Sequence, residues 1–316
     1  MQPVVELFQN ARREVGKVVL AQDRNLELAL CALIAEGHVL LEGPPGTAKT
    51  LMVRALARVL DVGFKRVQFT PDLMPADVLG TNVLDARTGS FRLQRGPIFT
   101  QLLLADEINR APAKTQSALL QAMQEHEVTL DGETHSLEDP FMVCATQNPI
   151  EMEGTYPLPE AQLDRFMFKL IVDYPDAQAE AGILERHHAT LRSSDLDRFG
   201  LAKIAGQTEL RAVRAACREV GVRPEILTYV VALARATREH PQFTLGASSR
   251  GALLLLIAAK VLAAARGRDF VAPDEVKELA LPALRHRVAL HPGALVEGVT
   301  ADEILEEILG ATAVPR

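Results

Sequence analysis

Tryptophan is absent from this chain, cysteine occurs 3 times in 316 residues, and aromatic residues make up only 4%. The cysteines, Cys31, Cys144 and Cys217, are an odd, sparse set without the short paired spacings of a metal site. They exclude a disulfide framework and fit buried apolar thiols in a reducing compartment. Positive charge is in deficit as well: the formal net charge is -7 and the pI about 5.7, so counterion release from nucleic-acid phosphates has no bulk source. Nucleic acid is therefore not the expected partner. Long apolar runs are missing too. The greasiest stretch, residues 252–265, is interrupted by Lys260 and falls short of the roughly 20 residues a bilayer span needs. The opening residues, MQPVVELFQNARREV, carry acid and base early and lack an apolar segment of signal-peptide length, which points to a cytoplasmic protein.

What is present suits a well-buried chain. Hydrophobic residues reach 48% and charged residues 24%, with a mean hydropathy of +0.07. A chain of this length is expected to form one large unit and one smaller one. Residues 3–37 place apolar side chains at helical spacing, and HVLLEG (38–43) then reads as a strand running into a glycine-rich turn and a helix, LMVRALARVL. Further strands are predicted at KRVQFT, QLLLAD and FMVCAT, separated by helical or loop sequence. That alternation is the mark of a parallel sheet covered by helices, an α/β three-layer unit over residues 1–190. Two hairpins interrupt it: 82–96, turning at Thr88-Gly89, and 127–137, turning at Asp131-Gly132, a strong hairpin dipeptide. Residues 191–220 connect to a smaller all-helical domain, 221–316, with helices expected from Pro224 to His240, Ser249 to Arg266, Pro273 to Arg287 and Ala301 to Leu309.

The chemistry concentrates at the ends of the strands. Between the first strand and its helix lies GPPGTAKT, that is Gly43, Pro44, Pro45, Gly46, Thr47, Ala48, Lys49 and Thr50. The order strand, loop, helix lets backbone N–H groups and a helix N-terminus face a polyphosphate, with Lys49 as a point charge for the β and γ phosphates and Thr50 as a hydroxyl for Mg²⁺. Ala48 stands where the general pattern has glycine, which implies a backbone near helical φ. In QLLLADE the buried strand ends in Asp106, placed to hold Mg²⁺ through its water shell, and Glu107, placed to polarise an attacking water. FMVCATQNP ends in Thr146, Gln147 and Asn148; Asn148 is suited either to orienting water or touching the γ phosphate, or to a plain pre-proline turn. Two arginines remain open in the same way. Arg165 has Glu160 and Asp164 beside it as ordinary ion-pair partners. Arg250 lies in a first helical turn capped by Ser248 or Ser249, where a cation opposes the dipole unless an anion such as phosphate is near.

GPPGTAKT, the run LLLADEINRAPAKTQSALLQAMQE (102–125), ATQNPIEMEGTYPLPEAQLDRF (145–166) and GASSR occur in the order seen in the MoxR family of AAA+ ATPases. The chain resembles that family over essentially its whole length. The resemblance implies a P-loop core with a helical lid, Walker A at 43–50, Walker B at Asp106 and Glu107, sensor 1 at Asn148, an arginine finger at Arg165 and sensor 2 at Arg250. It also implies ATP and Mg²⁺ as cofactors, a homo-oligomeric ring, commonly a hexamer, a partner with a von Willebrand factor A domain, and a chaperone-like action on a protein client. The hairpins correspond to the helix-2 and pre-sensor insertions. One departure is Ala21 in VVLAQD, where the family usually has glycine. Competing readings are a metal-chelatase motor subunit, a P-loop kinase, for which Asn148, Arg165 and Arg250 have no ready role, and a DNA translocase using Arg87, Arg92 and Arg95. His126, His135, His187 and His188 form no metal constellation and read as surface residues.

Overall fold

A computed structural model describes residues 1–85, 87, 89–149, 154–188 and 196–315. Two helices, α1 (Gln2–Val15) and α2 (Asp23–Ile34), precede strand β1 (Val39–Glu42) and α3 (Lys49–Val59). After β2 (Phe64–Gln68) and the short α4 (Pro75–Leu79), a hairpin of β3 (Gly80–Asp85) and β4 (Ser90–Arg95) leads to β5 (Leu102–Asp106) and α5 (Ala113–Glu125). A second hairpin, β6 (Glu127–Leu130) and β7 (Glu133–Ser136), leads to β8 (Met142–Gln147), the short α6 (Glu160–Leu163), β9 (Phe168–Ile171) and α7 (Ala177–His187). The rest is α8 (Gln207–Arg218), α9 (Pro224–Glu239), β10 (Phe243–Leu245), α10 (Ser249–Ala265), α11 (Pro273–Leu284), β11 (Ala289–Leu290), α12 (Pro292–Val296) and α13 (Ala301–Ala311).

The main sheet runs β2-β5-β8-β1-β9, and every pairing in it is parallel. Alternate strand residues face opposite layers: Val39, Leu41, Leu102, Leu104 and Cys144 join one core, and Leu40, Leu103, Ala105, Val143 and Ala145 the other. The sheet is thus covered on both faces, which is why its inner strands read as unbroken apolar runs. The four strands expected from sequence are present; β9 is a fifth, at the edge beside β1. The initial helical stretch divides in two at Gly16. In the second hairpin Asp131 and Gly132 both take positive φ, 50° and 87°, the geometry a two-residue turn requires. The proposed turn at Thr88-Gly89 includes a position outside the described residues.

The C-terminal part is helical as expected, with one antiparallel pair, β10 with β11, set among its helices. Its apolar side chains do not form a separate core. Leu255, Ala259, Leu262, Leu279 and Ile304 belong to the same cluster as Leu7, Leu30 and Leu56, because α10 packs on α1 and α2 and α11 packs on β9. The three cysteines are free and buried, and burial pushes every thiol pKa up, that of Cys217 to about 11.

Two buried histidines tie this interior together. His38 accepts from Val143 N–H at Nδ1 (3.0 Å) and donates from Nε2 to the Met123 carbonyl (2.9 Å), bridging β1, β8 and α5. His286 reaches the Phe166 carbonyl at 2.9 Å. Burial holds the pKa of His38 at about 4 and that of His286 well below its ordinary value. Both are neutral in the folded state and would take a proton once unfolded, below roughly pH 6.5. Stability is therefore complete above that pH and declines as pH falls below it, for His38 over the range down to about 4, by about 1 kcal/mol per pH unit. Denaturant midpoints measured at pH 7 and pH 5 should differ accordingly. Equal midpoints would show that these imidazoles are not neutral in the fold.

Candidate active site

The C-terminal edges of β1, β5 and β8 meet at a cavity of ≈ 400 Å³ lined by Gly46, Lys49, Thr50, Asp106, Glu107 and Asn148, together with further residues of the 43–51 loop and helix start. The loop closes tightly on the sheet. A Cβ at Gly43 would lie 2.0 Å from the Val172 carbonyl, and Gly46 sits at φ +83°. Lys49 opens α3 and folds back over the loop: its Nζ donates to the carbonyls of Gly43 (2.8 Å) and Pro44 (2.7 Å) and to Thr47 Oγ1 (3.3 Å). Among the described residues these partners are neutral oxygens. Burial lowers the Lys49 pKa, and the nearby carboxylates of Asp106 and Glu107 act against that shift.

Ala48 corrects the expectation of helical φ. Its φ is +61° and ψ 18°, a left-handed conformation that costs an L-residue roughly 1–2 kcal/mol. Ala21, the other position where glycine is usual, has φ +58°. In both places the chain keeps the backbone that glycine favours and bears the strain of a Cβ.

Asp106 and Glu107 are fixed from the neighbouring strands. Thr146, on β8, donates from Oγ1 to Asp106 Oδ1 at 2.5 Å and accepts from the Glu107 N–H at 2.8 Å. Arg66, on β2, donates to Asp106 Oδ2 through Nε (3.0 Å) and Nη2 (2.6 Å). Glu107 itself takes φ +55° and ψ 50°, so its carboxylate turns out of the strand, and Arg110 Nη1 lies 2.9 Å from Oε2. The two acids do not cap α5, whose N-cap is Pro112. The sequence places Thr146 at the end of its strand without a role, and it brings neither Arg66 nor Arg110 to the site. The oxygen set of Thr50 and Asp106 suits a hydrated hard cation, and an ammonium on neutral oxygens beside a helix N-terminus suits a polyphosphate. The residues present fit both groups.

The other candidates are placed differently. Asn148 lines the cavity at the end of β8. Arg165 and Arg250 do not. Arg165, half-buried just after α6, has an Nε that is buried and, among the described residues, without a hydrogen-bond partner. Its neighbour Asp164 pairs with Arg287 and not with it. Arg250 is exposed on the first turn of α10, whose N-cap is Ser248, accepting from the Gly251 N–H at 3.0 Å. On the first hairpin, Arg95 stacks over the Phe99 ring at 5.0 Å, while Phe91 is 73% exposed and Leu84 53%. His126 is exposed, as expected; His135 is only 22% exposed and meets Phe99 edge-on, which corrects its surface reading. The side chain of His187 lies outside the described residues.

Comparisons with known proteins agree with this arrangement. Residues 38–168 match the ATPase family associated with various cellular activities (AAA), and residues 235–308 match the AAA lid domain. The uncharacterized protein YeaC of Bacillus subtilis is 46% identical over 98% of this chain and 95% of its own length. Chaperone MoxR1 of Mycobacterium tuberculosis is 41% identical over 99% of this chain and 83% of its own, and protein MoxR of Methylorubrum extorquens 32% identical over 89% and 87%. A crystal structure from Cytophaga hutchinsonii superposes with a TM-score of 0.90 at 38% identity, covering 100% of this chain and 98% of that one. A P-loop core, a helical lid and full-length relatives of one kind lead to a single assignment: the chain belongs to the MoxR family of AAA+ ATPases.

Proposed function

We propose that the chain hydrolyses ATP with Mg²⁺ and uses the cycle, as a chaperone-like motor, to remodel or mature a protein client. The observation that carries this is the convergence of Lys49, Thr50, Asp106, Glu107 and Asn148 on one cavity at the edge of the sheet. ATP and Mg²⁺ supply the scissile phosphoanhydride and the charge that eases its cleavage. The chain supplies the rest. The 43–50 loop and Lys49 hold the phosphates, Thr50 and Asp106 hold the hydrated metal, Glu107 takes a proton from the attacking water, and Asn148 orients that water. In this reading residues 1–190 are the core, 191–220 the connection and 221–316 the lid. Arg250 brings its cation to the chain's own or a neighbour's phosphates, and Arg165 serves a neighbouring site in a ring, most simply a hexamer, within the cytoplasm.

The first hairpin supports a protein client. Val83, Leu84 and Phe91 are exposed on it, an apolar surface that a solvated loop does not need and that protein partners bury. Asn82 Nδ2 donates to Asp131 Oδ2 at 2.7 Å, which ties this hairpin to the turn of the second one. A protein with a von Willebrand factor A domain is the proposed partner. Deleting residues 85–90 should leave basal ATP turnover intact and abolish its stimulation by that partner. Loss of basal turnover would make the hairpin structural, and stimulation by nucleic acid that falls steeply with salt would favour a translocase.

A further inference from the structure

Asp164 precedes Arg165 in sequence, and its carboxylate is gripped from the lid. Ser248 Oγ lies 2.9 Å from both Oδ1 and Oδ2, and Arg287 Nε donates to Oδ1 at 2.8 Å. Arg287 then follows the backbone past Arg165, donating from Nη2 to the carbonyls of Asp164 (2.9 Å) and Phe166 (2.5 Å) and from Nη1 to that of Met167 (3.2 Å). His286 adds its contact to the Phe166 carbonyl at 2.9 Å. The segment 164–167 is thereby pinned on both sides of Arg165 by two consecutive residues that follow α11.

The same grip includes the helix end that bears Arg250. Ser248 is the N-cap of α10, and Gly251 leaves the space that Arg287 fills: a Cβ there would come 2.5 Å from Arg287 Cδ. The Arg287 side chain is 1% exposed, and burial brings its pKa down to about 10, so it remains charged at neutral pH. Burying an ion pair contributes little net stability, because desolvation offsets the attraction. What such a pair does supply is fixed geometry, with four acceptor atoms of the segment 164–167 held by one planar donor fork.

We propose that Ser248 and Arg287, acting through Asp164, are positioning residues for Arg165, so that the lid of one subunit sets the reach of its arginine toward the next. This rests on the reading of Arg165 as an arginine acting in trans. A nucleotide that draws Arg250 inward would move the N-terminus of α10, and with it Ser248 and the Asp164 carboxylate. Occupancy of one site is thus transmitted to the arginine offered to another.

The test is complementation in mixed assemblies, scored by phosphate release. Asp164→Asn keeps the shape of the side chain and loosens the grip, so turnover of the assembled protein should fall by up to ~10²-fold, the loss expected from a misplacement of about 1 Å, with the KM for ATP unchanged. Mixed with Lys49→Ala subunits, whose Arg165 and grip are intact, it should recover part of that turnover. Mixed with Arg165→Ala subunits it should recover none, since neither supplies a placed arginine, and in one chain the two substitutions should be no worse than Arg165→Ala alone. Recovery with Arg165→Ala would put the defect in the subunit's own site and overturn the proposal. Wild-type turnover by Asp164→Asn and by Ser248→Ala would overturn it as well. Should Asp164→Asn lack a cooperative melt, Ser248→Ala carries the same comparison, with Ser248→Thr restoring turnover. Arg165→Ala turning over at the wild-type rate is a separate result, which would remove the trans reading itself.

Discussion

Replacing Lys49 by alanine is expected to abolish tight ATP binding. The ammonium lies within 2.8 Å of the Gly43 and Pro44 carbonyls and has neutral oxygens as its partners, so it is poised to exchange them for phosphate oxygens. Its substitution removes charge-assisted hydrogen bonds worth roughly 1.5–3 kcal/mol each, and two or three of them correspond to at least ~10²-fold in Kd. The loop also loses what gathers its carbonyls, leaving their partial negative charge facing the ligand. The fold itself should persist, since Lys49 is a surface residue of the cavity wall. Calorimetric titration with ATP measures the loss, and an unchanged affinity would refute the assignment of the phosphate loop.

Glu107→Gln separates binding from chemistry. Glutamine preserves the size of the side chain and can accept the Arg110 contact, and the left-handed backbone at this position is held by the Thr146 hydroxyl in either case. Only the capacity to take a proton is lost. ATP binding should be retained while turnover falls by roughly 10² or more, the usual worth of a positioned general base. Normal hydrolysis by this variant would take Glu107 out of its role. Retained binding also makes it the form in which a client complex should accumulate.

The parts of the site that sequence reveals are those set by local pattern. β1, β5 and β8 are buried on both faces, so they read as apolar runs, and the residues that close them, Gly43, Asp106 and Asn148, fall at the ligand edge of the sheet. The Asp131-Gly132 turn was legible because only a few dipeptides accept two positive φ values. β9 is less so: FKLI is short, carries Lys169, which pairs with Glu42 at 2.8 Å, and follows Arg165 with no turn residue to announce it. Arg66 reaches Asp106 because Gln68, two residues on and on the same face, is the β5 register partner of that aspartate. Such a contact depends on strand pairing and leaves no trace in either segment alone. Arg287 is hidden for the same reason, lying 123 residues from the Asp164 it holds. The left-handed Ala21 and Ala48 were inferable only from the glycines usual at those places, since nothing about alanine announces positive φ. The single core shared by α1, α10 and α11 shows why composition alone separates the helical part from the α/β part without dividing their interiors.

Hydrolysis at this cavity is held to be completed by Arg165 of a neighbouring subunit, a contribution that in trans is worth about 10³ to 10⁵ in rate. The most direct test is ATP turnover per subunit of the unmodified protein, with Mg²⁺, across a concentration series that spans assembly and dissociation. Turnover per subunit should rise steeply as the chain assembles and fall toward zero on dilution to monomer. A monomer that hydrolyses ATP at the full assembled rate would contradict the claim.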